Sequence, residues 1–508
     1  MRDGVALATD LWLPDDAQPV AAILIRTPYD KSRLASDFIR PQQLVESGFA
    51  VAVQDTRGRF ASGGKWTPLD WEQEGLDGFD SIEWLASQPW CDGNVGMAGT
   101  SYAGIVQFAA AALSPPALRA IAPTMTGVAQ GEIAETGGAF WLDHLFGWLC
   151  AVGIDWALEN GRPDTANMFA GWLSEPAPLH ESHPVSAAPI FALPDFPVTH
   201  DRLSRDPITP AVSPASVAMP ILAIGGWFDM YLRASIAAGT EGTSPRHLVL
   251  GPWAHSGQPG PTQGDLNFGL TGSAAGAGMA AQHIAYFDRY LREGGSEVPP
   301  VRFFEMPRAG WRTASRWPVN AERRLLSPRE GRLVQDGEGG SARLEYRFDD
   351  PVRTVGGRTM PLAGLTPGPL DQRAASRHAG VSLAIGDQLA EPILVAGQTR
   401  IVFDLDCDRP GCDVFAKLLD IYPDGRELLV TDGHIRVSTG DTSASTRWPR
   451  RAEIALADTA WRFEAGHRLG LLLQSSNFPH FDRNPLSDTS ARLSLDGIVL
   501  DLPIGNLQ

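Results

Sequence analysis

Up to Thr126 the chain alternates short apolar runs with longer stretches in which apolar residues recur every three or four positions. The runs Ala21 to Arg26, Phe49 to Gln54, Val95 to Ala98 and Leu118 to Pro123 predict strands, joined by crossover helices into a parallel sheet. Between them, Glu74 to Ser87 spaces Leu76, Phe79, Ile82, Glu83 and Leu85 along the stripe of an amphipathic helix lying on that sheet. Tyr102 to Leu113 is small and apolar on all sides, the pattern of a helix buried beneath the middle of a sheet.

After Thr126 the text becomes Gly- and Trp-rich and helical, with Ile133, Phe140, Trp141, Leu145, Phe146 and Trp148, and then turns to Pro, Ala, Ser and His from Ser174 to Pro220. This reads as an insertion, because the strand-helix rhythm resumes with Pro220 to Phe228, His247 to Leu250 and the helix Ala280 to Arg292. Beyond Val319 the runs are short and separated by Gly, Pro and Asp: Arg343 to Phe348, Thr399 to Leu405, Val414 to Ile421, Glu427 to Thr431, His467 to Gln474 and Ala491 to Leu495. Many short strands at such spacing predict a β-sandwich. The expected division is an α/β core in two parts, 1–126 and 216–318, a helical cap at 127–215 and a β domain at 319–508.

Composition narrows the partners. With 508 residues, 43% of them hydrophobic, there is material for several well-buried cores. The net charge is −17, from 42 Lys and Arg against 59 Asp and Glu, and the basic residues form no stripe that would neutralise a phosphate backbone, so nucleic acid is not an expected partner. No apolar run approaches the ~20 residues of a membrane span, and no membrane association is expected. The opening Met1-Arg2-Asp3-Gly4 carries no hydrophobic leader, which gives a cytoplasmic expectation for the sequence as it stands. Cys91 and Cys150 sit in apolar surroundings that predict buried thiols. Cys407 and Cys412 bracket the turn Asp408-Arg409-Pro410-Gly411, which brings two strand ends within disulfide reach, although a reducing compartment opposes the bridge. No His or second Cys pair lies at zinc-ligand spacing from them, and no metal is predicted.

The chemistry concentrates around Ser101. In Asn94-Val-Gly-Met-Ala-Gly-Thr-Ser-Tyr-Ala-Gly104 an apolar strand runs through Gly99 into the serine and out into the small-residue helix. A strand-turn-helix elbow strains the nucleophile's backbone and tolerates only small neighbours, here Gly99, Ala103 and Gly104. The usual G-x-S-x-G pattern is displaced by one place, so the segment alone also fits a buried serine capping a helix. A serine needs a base, and the base needs an acid that fixes its tautomer. Ile221 to Asp229 ends a strand with an acid, and His247 to His255 ends the next with a histidine. Ser101, Asp229 and His255 follow one another in the α/β-hydrolase order, each just beyond a strand's carboxyl end, where open α/β sheets build their sites. Oxyanion donors are then required. The N–H of Tyr102 is one candidate, and the hydroxyl of Tyr29, just past an early strand, is another. These groups suffice for acyl transfer, so no cofactor is called for.

With those residues assembled, the chain closely resembles the bacterial cocaine esterase, or CocE/NonD, family of hydrolases, which includes glutaryl-7-aminocephalosporanic acid acylases and α-amino acid ester hydrolases and is related to the X-Pro dipeptidyl-peptidases (S15). The likeness runs through Met1-Arg-Asp-Gly-Val5, Arg26-Thr-Pro-Tyr-Asp-Lys31, Asp55-Thr-Arg-Gly58, Gly99 to Gly104, Gly225-Gly-Trp-Phe-Asp229 and Gly251-Pro-Trp-Ala-His255. It continues in Gly368 to Arg373, Lys417 to Gly425 and Ser475 to Arg483. The resemblance implies an α/β fold: an α/β-hydrolase core, an inserted helical cap and a C-terminal β-sandwich of jelly-roll type. It also implies Ser101 as nucleophile, His255 as base, Asp229 as its orienter, and the Tyr29 hydroxyl with the Tyr102 N–H as oxyanion hole. In the family a short stretch with a strand usually precedes the Arg-Asp-Gly motif, so the cytoplasmic expectation is provisional. Asp55 and Arg57 are expected to form an internal ion pair that shapes their loop.

A small-molecule ester or amide is the expected substrate. Phe140, Trp141, Phe146 and Trp148, with Tyr231, are candidates for the wall of an acyl pocket, although residues at that helical spacing equally make up a cap core. A free α-amino group on the substrate would need carboxylates, for which Asp30, Glu132, Glu135 and Asp143 are available. The competing readings are an X-Pro dipeptidyl-peptidase-type aminopeptidase and a binding protein on a degenerate hydrolase core. Oligomeric state is not legible.

Overall fold

A computed structural model describes the chain except for residues 16–17, 35, 37, 129–134, 205–212, 257, 293, 309, 320, 361–363, 439–447, 487–488 and 506–508. The predicted α/β sheet is present as nine strands: β1 (Thr9–Trp12), β2 (Val20–Thr27), β3 (Ala50–Asp55), β4 (Cys91–Thr100), β5 (Leu118–Thr124), β6 (Ile221–Phe228), β7 (Arg246–Ala254), β8 (Val301–Glu305) and β9 (Gly310–Ala314). Their order across the sheet is β1-β3-β2-β4-β5-β6-β7-β8-β9. β1 and β9 are antiparallel to their neighbours, and every pair between β3 and β8 is parallel. Parallel strands must be covered on both faces. Side chains alternate accordingly, Ile221 and Ala223 packing to one side of β6 and Leu222 and Ile224 to the other.

Helices α1 (Trp71–Ala86) and α2 (Tyr102–Ala112) lie on one face of the sheet. They approach closely because α1 carries glycines where they meet: a Cβ on Gly78 would stand 2.7 Å from that of Ala110. The buried face of α1 differs from the predicted stripe. Leu76 and Phe79 are only half-buried, whereas Glu74 and Asp77 are buried beside Ile82 and Leu85. The reason is Arg26, fully buried on β2, whose guanidinium lies 3.0 Å from Glu74 and 3.9 Å from Asp77. Paired charge, not apolar surface, fills this stretch of the helix-sheet interface.

The chain between β5 and β6 forms the helical cap, built on α3 (Leu142–Glu159) and α4 (Pro163–Ser174) around Phe146, Leu149, Phe169, Ile190 and Phe196. After β6 come α5 (Leu232–Thr240) and, beyond β7, α6 (Met279–Leu291). α6 covers the face of the sheet opposite α1 and α2 through Tyr286 and Phe287. Two packed layers follow. Glu427–Ser438, Gly411–Ile421, Arg468–Gln474 and Val381–Gln388 pair in that order in one. In the other, the strand Ala491–Gly505 pairs with Ala321–Arg329, Gly340–Tyr346, Ile393–Gly397 and Arg400–Cys407. This is the C-terminal β-sandwich. Cys407 and Cys412 are both buried and free, with no bridge between them. Among the described residues no helix is long and apolar enough to cross a membrane.

Candidate active site

The parallel strands end at one rim, and the loops beyond them carry the chemical groups. β4 ends at Thr100, and Ser101 follows with φ of +60° and ψ of −121°, a left-handed conformation unfavourable for any residue bearing a Cβ. It is held there by its N–H, which donates to the Thr124 carbonyl (2.9 Å), and by its carbonyl, which accepts from the Thr126 hydroxyl (2.9 Å). Its flanks leave no room. A Cβ on Gly99, itself at φ +146°, would lie 2.6 Å from that of Ala103, and one on Gly104 would lie 2.6 Å from that of Thr126. The displaced glycine of the sequence motif is thus the one that lets α2 pass the Thr126 loop.

β6 delivers Asp229 and β7 delivers His255 to the same point. The imidazole Nδ1 lies 2.7 Å from Asp229 Oδ2, and Nε2 lies 3.0 Å from Ser101 Oγ. Asp229 is fully buried, and its other oxygen accepts the Tyr231 N–H at 2.6 Å. Both its oxygens are occupied. The carboxylate holds the Nδ1 proton, leaving Nε2 as the acceptor that faces the serine. Tyr231 also packs edge-on against the His255 ring, with centroids 5.5 Å apart. Its hydroxyl meets His144 Nε2 on the cap at 3.1 Å, while His144 Nδ1 lies 3.1 Å from the Met360 sulfur. Burial, with His255 and His480 nearby, drives the His144 pKa well below its usual value, so this imidazole is neutral.

Tyr29 and Tyr102 flank the serine. As the first residue of α2, Tyr102 has an N–H with no acceptor inside the helix. Its phenol points the other way, donating to Glu74 at 2.9 Å, and burial together with that carboxylate raises its pKa far above the usual value. Burial likewise raises the pKa of Glu74, against the pull of Arg26. The Tyr29 hydroxyl accepts the Trp148 indole N–H at 3.0 Å and lies in a cavity wall shared with Ser101. Desolvation raises the Tyr29 pKa as well, which keeps its phenol protonated.

The cavity over Ser101 and His255, about 400 Å³, corrects the expected acyl wall. Of the cap aromatics only Trp148 lines it. Phe140 and Phe146 pack into the cap core, and Trp141 is covered by Tyr231, His480 and Phe481. Tyr231 stands behind His255 and not in the wall. The apolar lining comes instead from Ile25, Leu34, Phe38 and Ile39 around the loop after β2, with Ala151 and Met360. Loop residues have no periodicity, so only their nearness to Tyr29 in the sequence could have pointed to them. Of the candidate carboxylates Asp30 reaches the cavity, already paired with Arg33 at 3.1 Å. Asp143 is buried against His480 at 2.8 Å, Glu132 lies outside the described residues, and the side chain of Glu135 is not described. Asp55 and Arg57 do not pair with each other. Arg57 binds Asp77 and Asp3, at 2.6 and 2.7 Å, while Asp55 accepts the backbone N–H of Lys31 at 2.7 Å, so the loop is shaped by two separate anchors. Among the described residues no cluster of three or more His, Cys, Asp or Glu side chains is placed to hold a metal.

The family model of the X-Pro dipeptidyl-peptidases (S15 family) matches residues 3–257, and that of their C-terminal non-catalytic domain matches residues 295–496. The cocaine esterase of Rhodococcus sp. (strain MB1 Bresler) is 32% identical over 95% of this chain and 91% of its own. The chain belongs to the S15 family. Within it, the chain is a serine carboxylic-ester hydrolase of the CocE/NonD type. The S15 fold is shared with an α-amino acid ester hydrolase, with a TM-score of 0.74 at 24% identity over 99% of this chain and 95% of the other. It is shared too with an aminopeptidase from a marine-sediment Thaumarchaeota archaeon, with a TM-score of 0.76 at 22% identity over 100% of this chain and 95% of the other.

Proposed function

We propose that this S15-family chain hydrolyses carboxylic esters of small molecules through an acyl-enzyme on Ser101. The observation that carries the reading is the unbroken chain from Ser101 Oγ to His255 (3.0 Å) to Asp229 (2.7 Å) at a strained elbow opening into an apolar cavity. His255 Nε2 takes the serine proton as Oγ attacks the ester carbonyl, and the imidazolium so formed is stabilised by Asp229. The charge that develops on the carbonyl oxygen is met by the Tyr102 N–H and the Tyr29 hydroxyl acting as oxyanion donors. His255 then returns its proton to the leaving alcohol, and water enters by the same steps in reverse to release the acid.

Among the described residues the cavity lining carries one carboxylate, that of Asp30, already paired with Arg33, and is otherwise mostly apolar, which supports an ester hydrolase over an aminopeptidase. An amide of the same acyl group meets the same donors. A fluorophosphonate probe tests the assignment: wild type should be labelled and Ser101→Ala should not. Ser101→Ala that kept full hydrolysis of a p-nitrophenyl ester would overturn it.

A further inference from the structure

The cap helix α3 presents His144 and Trp148, one turn apart and so on one face, to two tyrosines of the core. The Trp148 contact carries a directional consequence. An indole N–H can only donate. At the 3.0 Å contact the Tyr29 oxygen is therefore the acceptor, and the single phenolic proton must lie elsewhere. The remaining side of that oxygen faces the cavity wall occupied by Ser101. The indole is itself held in place. Its ring stacks on Tyr102, at 6.5 Å and an interplanar angle of 18°, and the Tyr102 hydroxyl is anchored to Glu74. Tyr29 in turn meets Tyr102 edge-on at 6.4 Å.

We propose that Trp148 is a positioning residue for catalysis: by occupying one lone pair of the Tyr29 oxygen, its N–H aims the phenolic O–H at the developing oxyanion. The inference rests on the reading of Tyr29 as an oxyanion donor. It assigns Trp148 more than the apolar wall its ring provides. A phenol without this partner divides its donation among whatever acceptors are near, and aligning it becomes part of the barrier. A phenol with it is oriented before the substrate arrives, which is where electrostatic stabilisation is most effective. Donation into the oxygen also polarises its own O–H, strengthening the second bond of the chain.

The test uses the full chain and p-nitrophenyl acetate, whose small acyl group makes little demand on the cavity wall. Tyr29→Phe should lower kcat by about 10²–10³, as for loss of one oxyanion donor. Trp148→Phe should lower kcat by about tenfold, the equivalent of one modest hydrogen bond, with KM within about threefold of wild type. The double variant should be no slower than Tyr29→Phe alone, because a phenyl ring has no hydroxyl to aim. Replacing Trp148 by 3-benzothienylalanine, which exchanges N–H for sulfur within nearly the same ring outline, should reproduce the kcat loss without disturbing packing. Full kcat in that isostere, or deficits that multiply in the double variant, would overturn the positioning role while leaving Tyr29 as a donor. An unchanged kcat in Tyr29→Phe would instead remove the oxyanion assignment itself.

Discussion

Asp229 shows how much a single side chain can be committed in advance. Both its oxygens are engaged, one by the His255 Nδ1–H and one by the Tyr231 N–H, and no part of it reaches solvent. Asp229→Asn keeps the shape but offers an amide donor to Nδ1, which favours the tautomer with its proton on Nε2, unable to take one from Ser101. We expect kcat to fall by about 10⁴, with thermal unfolding near that of wild type; a loss under tenfold in steady-state assays would place the orienting acid elsewhere. Ser101, Asp229 and His255 were legible because each directly follows an apolar run, and the end of a parallel strand is a fixed place in such a fold. Phe140, Trp141 and Phe146 were not, because an aromatic residue on a helix is equally at home in a core or in a pocket wall.

The elbow is where strand, turn and helix constrain one another most tightly. Its geometry depends on Gly99, which combines a φ of +146° with van der Waals contact against Ala103. Gly99→Ala would bring two methyl carbons to 2.6 Å, so β4 and α2 must separate by about an ångström to relieve the clash. A displacement of that size under the nucleophile is expected to reduce kcat about 10²-fold, and fluorophosphonate labelling should slow in parallel; labelling at the wild-type rate would show that the elbow tolerates the methyl. The small residues around Ser101 were readable as a motif. The buried face of α1 was not, since pattern reading places charges outward, whereas Glu74 and Asp77 turn inward to meet the buried Arg26.

Cap, core and sandwich are joined by buried polar contacts as well as by packing. Arg436 on the sandwich forms ion pairs with Asp413 and Asp482 at 2.8 and 2.9 Å, while Asp482 also accepts the Phe140 N–H of the cap at 2.9 Å. The Arg436 N–H bonds the Gly137 carbonyl at 2.7 Å. Arg436→Ala would strand two largely buried carboxylates, and such a break costs about 3–5 kcal/mol. Denaturant unfolding should show that loss, and the Asp482 end of the network should loosen the cap enough to alter KM; an unchanged midpoint would mean that solvent screens the network. Met360, between the sandwich strands Gly340–Tyr346 and Val381–Gln388, reaches both His144 and the cavity over Ser101, so the C-terminal domain helps to line that cavity.

Taken as text, the chain already carried its strand rhythm, the order of serine, acid and base, and the small residues at the turn, because these depend on local spacing and on where a strand must stop. Which face of α3 meets the core, which loop walls the cavity and which cation each buried acid finds depended on the packed molecule. Periodicity tells which residues share a face, but what that face touches is set by partners hundreds of residues away, as Asp143 and His480 illustrate.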